Sequence, residues 1–103
     1  METNLCSVNK LIGAQNEWSE VRNNQVIGVC AGTRYSGPPQ GQILVQVFDK
    51  DTNVLISGPD LYTVPGQVEW VKVVDAVGER LTLQADTGAL FYFDVPTRHW
   101  VHP

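Results

Sequence analysis

The stretch RLTLQADTGALFYFDV, residues 80–95, decides the fold, because two alternating runs flank a short turn. On each side of the turn, apolar side chains occupy every second position, which predicts β-strands with one buried face. Asp86-Thr87-Gly88 is typical of a three-residue hairpin loop that ends in a glycine bulge. This loop pairs Leu83 with Phe91, so both strands present one apolar face. A slip of one residue would expose that face, and we expect a firm register.

Outside this hairpin, short apolar or alternating runs are bounded by Gly, Pro, Asn and Asp, which predicts further strands. These runs cover residues 25–31, 42–48, 54–57, 61–64 and 67–77, with a short edge strand at 98–101. Gly78-Glu79 predicts a type II′ hairpin turn that pairs Val74 with Leu83. The predicted fold class is all-β, a small antiparallel meander of six or seven short strands. A closed barrel and a two-layer sandwich share this strand pattern, and both remain open.

The chain of 103 residues has the length of one domain. Residues 1–15, METNLCSVNKLIGAQ, show no sustained period and are interpreted as a loose N-terminal arm before a single all-β domain at 16–103. The arm has neither the basic start nor the apolar stretch of a secretory signal. We therefore expect the chain as given to be cytoplasmic, or extracytoplasmic if Met1 is not the natural start.

Composition and charge exclude several classes of protein. Hydrophobic residues make up 43% and charged residues 17% of the chain, which excludes intrinsic disorder. Eleven Asp and Glu outnumber seven Lys and Arg, for a formal net charge of -4. Nucleic acids and anionic membranes select a basic surface, so we expect no nucleic-acid partner. No apolar run approaches the ~20 residues of a membrane-spanning helix, so we expect no membrane span.

One tetrapeptide is found at catalytic sites. Asp86-Thr87-Gly88-Ala89 resembles the motif that carries the catalytic carboxylate of aspartic proteases, in which two aspartates share a proton. Only fourteen residues follow Ala89, too few for the flap and the support loop of such an enzyme. The same residues are explained by the hairpin turn. We therefore assign no catalytic residue and expect no enzyme activity.

Two further clusters resemble metal ligands. Residues 49–53, DKDTN, match the opening of a calcium loop, but Val54 stands where that loop requires glycine. His99 and His102 are three residues apart, and on an extended segment this spacing directs them to opposite sides. We therefore expect no metal and no cofactor. Cys6 and Cys30 leave a disulfide and two free thiols as open alternatives.

Aromatic residues and one loop arginine are the candidates for contact with a ligand or partner. They are Arg34, Tyr35, Tyr62, Trp70, Tyr92 and Trp100. Aromatic rings on a β-sheet stack on sugars or on apolar side chains of a partner. The first two belong to the proline-stiffened loop 33–41, and surface loops often carry contacts. For the aromatic residues, packing in the core or at a sheet edge is the alternative.

Several short segments resemble a known pattern. They are Ala31-Gly32-Thr33-Arg34, Pro39-Gln40-Gly41 with Ile43 to Val45, and Gly78 to Leu83 through Phe93-Asp94. The pattern resembles small all-β domains of uncharacterised bacterial proteins, many of them exported, and spans about residues 25–95. The resemblance implies an all-β fold, and it implies no activity and no functional residue.

The leading hypothesis for function is a non-catalytic binding or interaction module. Its partner would be a protein, a peptide or a surface polymer, contacted through exposed aromatic residues and the loop 33–41. The alternative is a domain that binds a small ligand or a carbohydrate through exposed Trp and Tyr. An enzyme and a purely structural domain of a larger assembly complete the alternatives.

Overall fold

Residues 11–102 form eight strands in two antiparallel sheets of four. The structure is a computed structural model and describes residues 11–102. The strands are β1 (Ile12–Arg22), β2 (Gln25–Arg34), β3 (Gly41–Asp49), β4 (Leu55–Thr63), β5 (Val71–Val77), β6 (Arg80–Ala85), β7 (Leu90–Asp94) and β8 (His99–Val101). The N-terminal sheet has the order β1-β2-β3-β4 and the C-terminal sheet the order β5-β6-β7-β8. The described residues contain no helix with the length and apolarity of a membrane span.

The all-β class is confirmed, and two finer predictions need correction. Neither sheet closes on itself within residues 11–102, so the closed barrel is wrong. The strands number eight rather than six or seven. The additional strand is β1, whose side chains are mostly exposed because it lies at a sheet edge. Its sequence, IGAQNEWSEVR, therefore lacks the alternation that marks a half-buried strand. The predicted strands 54–57 and 61–64 are the two ends of β4.

The hairpin at 80–95 has the predicted register. Leu83 lies opposite Phe91 and Leu81 lies opposite Phe93. The amide of Ala85 donates to the carbonyl of Ala89 over 2.9 Å, and Gly88 has a φ of 91°. Asn23 and Asn24 form the turn between β1 and β2, and both have positive φ, as a type I′ hairpin requires.

Strand β5 differs from its prediction at its start and in its middle, and it ends at residue 77 as predicted. It begins at Val71 rather than at residue 67. A bulge between Val73 and Asp75 then shifts the register, so that Val73 and not Val74 lies opposite Leu83. The bulge leaves Val74 46% exposed. Beyond the bulge, Ala76 lies opposite Leu81, the pairing that a two-residue turn at Gly78-Glu79 requires.

The core lies between the two sheets. One buried cluster combines Val29, Ile43 and Val45 of the N-terminal sheet with Leu81, Leu83 and Phe93 of the C-terminal sheet. Full burial of a side chain of this size stabilises a fold by roughly 1.5–3 kcal/mol. The connection from β4 to β5 adds Val64 and Val68 to the same cluster. The two sheets are thus held mainly by shared apolar burial.

A smaller cluster lies on the other face of the N-terminal sheet. Ile12, Cys30 and Leu44 are buried together there. Side chains alternate between the two faces of a strand, so Cys30 faces away from the main core that holds Val29. Cys30 is disulfide-bonded, which excludes the free-thiol alternative for this residue. Cys6 lies outside the described residues.

A side chain joins the free edges of β1 and β5. The Asn16 amide nitrogen donates to the carbonyl of Val73 over 2.8 Å, and the Asn16 side-chain oxygen accepts from the Val73 amide over 2.9 Å. A carboxamide carries one donor and one acceptor site side by side, so it replaces the backbone of a missing neighbour strand. We call this pair of bonds the Asn16 clasp.

A bulge in β1 presents Asn16 to β5. The pairing of β1 with β2 shifts between Ala14 and Asn16. Gly32 lies opposite Ala14, and a Cβ atom at Gly32 would lie 2.0 Å from the carbonyl oxygen of Gly13. Only glycine permits this close approach of the two backbones. The bulge, and with it the clasp, therefore depends on Gly32.

Asp86 holds the start of β5 against the 85–89 turn. Its Oδ1 accepts from the amides of Glu69 at 2.8 Å and Trp70 at 3.4 Å. Asp86 lies in the predicted hairpin turn, and its carboxylate is the hydrogen-bond acceptor for the amides of residues 69–70.

We predict that Asn16→Ala lowers the free energy of unfolding by about 1–2 kcal/mol, because two exposed hydrogen bonds of the clasp are lost. Urea denaturation monitored by tryptophan fluorescence measures the change. Gln15→Ala, in the same bulge, is the matched control and should stay within about 0.5 kcal/mol of the wild type. Equal effects of the two substitutions would show that the clasp adds nothing to stability.

We predict that Asp86→Ala destabilises the fold by about 1 kcal/mol and Asp86→Asn by less, because asparagine keeps an oxygen acceptor at the same place. Thermal unfolding checks the order of the two variants. Asp60→Ala and Asp60→Asn, at an exposed aspartate of β4, are the controls. If the Asp60 variants lose as much stability as the Asp86 variants, the assigned role of Asp86 is wrong.

Candidate functional site

Two of the six candidate residues line one cleft, and the other four lie elsewhere. Tyr92 of β7 and Trp100 of β8 both border a cleft of about 610 Å³. We call it the edge cleft, because β8 is the last strand of the C-terminal sheet. Its lining residues are Pro65, Leu90, Phe91, Tyr92, Trp100, Val101 and His102.

The short length of β8 opens this cleft. Strand β8 has three residues and pairs only with Tyr92, Phe93 and Asp94 of β7. Leu90 and Phe91, at the start of β7, extend beyond the part of β7 that β8 covers. Leu90 is 49% exposed and faces the cleft. The missing length of β8 thus leaves an apolar recess at the sheet edge.

A tight turn fixes β8 against β7. The Asp94 carboxylate accepts from the Thr97 hydroxyl over 2.6 Å and from the Thr97 amide over 3.3 Å. These bonds lower the pKa of Asp94 below its usual range, and the bond from the hydroxyl has the larger effect. The Arg98 amide donates to the Asp94 carbonyl over 2.9 Å, and Arg98 has a φ of 59°. The strand that carries Trp100 is therefore anchored at its start.

The indole of Trp100 is held by neighbouring rings. Its centroid lies 4.9 Å from that of Phe93 and 6.3 Å from that of Phe91, both in edge-to-face geometry. Phe93 in turn packs against Tyr62 of β4, with centroids 5.3 Å apart. Such ring pairs stabilise by ~0.5–1.5 kcal/mol beyond the area they bury. One side of Trp100 is thus fixed to the core, while the indole still borders the cleft.

The connection from β4 to β5 forms the opposite wall. Pro65 lines the cleft, and the adjacent Gly66 lies against the Phe91 ring, where a Cβ atom would be 3.1 Å from its Cζ. The Gln40 side-chain amide donates to the Gly66 carbonyl over 3.2 Å. The end of the loop 33–41 therefore supports the wall of the cleft without lining it.

The cleft is mostly apolar. Among its lining side chains, polar atoms come from the Tyr92 hydroxyl, the Trp100 indole N–H and the His102 imidazole. Such a site buries an apolar group and orients it with a few hydrogen bonds. Over residues 11–102, no group of three His, Cys, Asp or Glu side chains could hold a metal ion.

The remaining candidates stand apart from the cleft. Arg34, the last residue of β2, and Tyr35 are exposed at the start of the loop 33–41, with Tyr35 55% exposed, and neither lines the cleft. Tyr62 is half-buried against Phe93, in line with the core-packing alternative. Trp70 is half-buried beside the Asp86 turn.

The two metal-like motifs have local roles. Asp49 Oδ1 accepts hydrogen bonds from the amides of Thr52 and Asp51, each over 2.9 Å. Both bonds lower the pKa of Asp49, and the bond from Thr52 has the larger effect. The carboxylate thus closes its own turn. His99 lies opposite Asp94 in the β7–β8 ladder, whereas His102 lines the cleft. The two histidines therefore have different neighbours.

Sequence reasoning missed five of the lining residues, namely Pro65, Leu90, Phe91, Val101 and His102. Leu90 carried a signal, because it is an apolar residue on the outward-facing, mostly polar side of the alternation in β7. The placement of Pro65 and His102 beside Trp100 depends on tertiary structure and has no local signal.

Comparison of the chain with protein families, curated proteins and solved structures gives no match in any of the three. The resemblance to small bacterial all-β domains therefore stays a prediction, and the edge cleft is the basis on which a function can be argued.

Proposed function

We propose that the protein is a non-catalytic binding module and that the edge cleft takes up an apolar or aromatic side chain of a protein or peptide partner. The observation that carries this proposal is the cleft itself, an apolar recess of about 610 Å³ bordered by Trp100, Tyr92 and Leu90. Its volume falls within the roughly 300–1,000 Å³ of known ligand sites.

The rigidity of the aromatic wall favours binding. Trp100 packs edge-on against Phe93 and Phe91, so its indole loses little conformational entropy when a partner covers it. Tryptophan and tyrosine are also the side chains most enriched among residues that dominate binding energy. A partner residue that fills the recess would bury Leu90, which is 49% exposed in the free protein.

The chemistry of the lining favours a peptide over a carbohydrate. A sugar presents several hydroxyl groups, and each needs a hydrogen-bond partner when it is buried. The lining side chains offer only Tyr92, Trp100 and His102 for this purpose. An apolar side chain needs few such partners. The small-ligand or carbohydrate alternative remains as an outcome of the experiment below.

We predict that Leu90→Asp weakens binding of a cleft-directed peptide by at least ~10-fold, because it places a charge in an apolar recess. The probe is the tightest peptide selected from a phage-displayed library of random peptides on the wild-type protein. Isothermal titration calorimetry compares its Kd for the wild type, Leu90→Asp and Tyr92→Ala. Leu90 is chosen because its exposed side chain can be changed without opening the core.

Val77→Asp is the matched control, since Val77 is 74% exposed and lies in β5, outside the cleft lining. We expect this variant to bind the peptide as the wild type does. Peptides that bind Leu90→Asp as tightly would place the interaction elsewhere and overturn the proposal. If no peptide is selected while a glycan raises the Tm in a Tyr92-dependent way, the carbohydrate alternative replaces it.

A further inference from the structure

A nearly buried carboxyl group lies where the two sheets meet. Glu79 belongs to the turn between β5 and β6, and its side chain is only 6% exposed. Its Oε1 lies 2.9 Å from Nη1 of Arg22, at the end of β1 in the other sheet. Its Oε2 is buried and has no hydrogen-bond partner among the described residues. A buried polar atom without a partner is costly, so this oxygen needs an explanation.

A second carboxylate shares the same guanidinium. Glu20, also in β1, has its Oε2 3.7 Å from Nη2 of Arg22. One positive charge therefore faces two negative charges. The two carboxyls thus lie on the two terminal nitrogens of one guanidinium, and two ionised carboxylates cannot hydrogen bond to each other because neither carries a donor. We call Glu20, Arg22 and Glu79 the junction triad.

Other charges near the triad do not relieve it. Asp94 of β7 faces Glu79 and adds a further negative charge. Arg80 and His99 lie opposite Asp94 in the ladders of β6 and β8, and both act on Asp94. Within the described chain, Arg22 is thus the one cation paired directly with Glu79.

Burial is the main cause that raises the pKa of Glu79, and the proximity of Glu20 is the second. The attraction of Arg22 lowers this pKa but only partly opposes the other two causes. The direction agrees with the geometry, because both the lone Oε2 and the neighbouring Glu20 favour a bound proton.

We propose that the junction triad links the two sheets and that this link becomes stronger as the pH falls. Uptake of one proton from solvent places a hydrogen on Oε2 of Glu79, which then donates to the carboxylate of Glu20. Arg22 keeps its contacts with both carboxyl groups. The net charge of the triad changes from one negative charge to zero, and the buried oxygen gains a partner.

The sign of the effect on stability follows from linkage. A carboxyl group with a raised folded-state pKa binds more protons folded than unfolded between its two pKa values. Its contribution is therefore fully present at low pH and is lost as the pH rises through the folded-state pKa. Asp49 and Asp94 act in the opposite direction, because their pKa values are lowered in the fold. A substitution at Glu79 isolates the contribution of the triad from theirs.

We predict that Glu79→Gln removes this pH dependence. Glutamine keeps the shape of the protonated carboxyl and carries N–H donors for Glu20. The folding equilibrium constant of Glu79→Gln, divided by that of the wild type, should rise several-fold between pH 4 and pH 7. The slope cannot exceed about tenfold per pH unit, since one proton is involved. Urea denaturation at a series of pH values measures the ratio.

Glu69→Gln, at an exposed glutamate before β5, is the matched control and should give a ratio that stays flat over the same range. A flat or falling ratio for Glu79→Gln would overturn the proposal. A direct measurement holds even if that variant fails to fold. The side-chain carboxyl carbon of Glu79 is titrated by NMR in the wild type and in Glu20→Gln. The midpoint should fall in Glu20→Gln, and an unchanged midpoint would exclude a shared proton.

Discussion

Both the core and the candidate site depend on the packing of other rings against Phe93. It is fully buried, and it packs against Tyr62 from the N-terminal sheet and Trp100 from the C-terminal sheet. The first contact joins the two sheets, and the second orients the indole that borders the edge cleft. Because β8 has only three residues, backbone pairing alone would hold Trp100 weakly. The buried ring supplies the rigidity that so short an edge strand lacks.

Polar side chains also join the edges of the two sheets. The Asn16 clasp acts midway along β1, and the junction triad acts at the end of the same strand. Over residues 11–102, no ladder of backbone hydrogen bonds joins the two sheets at either place. The two connections differ in one respect. A carboxamide is neutral at every ordinary pH, whereas the contact of Glu79 with Glu20 depends on a proton.

The sequence predicts the fold best where one face of a strand is buried. In 80–95, alternation and a glycine bulge determine the register, and the structure has that register. Strand β1 was not predicted because most of its side chains are exposed, so apolar and polar residues do not alternate along it. The bulge at Val73 and Asp75 depends on packing against other strands, which a local pattern does not contain. For the same reason, residue type marked Tyr92 and Trp100 as candidates, but their position beside Pro65 could not be predicted.

The edge cleft and the junction triad are connected through the β7–β8 hairpin, yet they should act separately. The amide of Val95 donates to the carbonyl of Glu79 over 3.0 Å, so the triad reaches the start of the turn that leads to β8. That turn is already fixed by Asp94 and Thr97. The cleft is lined by the far end of β8, where Trp100 rests on Phe93. Protonation of Glu79 should therefore strengthen the frame that carries the cleft, while Glu79 itself is not one of the lining residues.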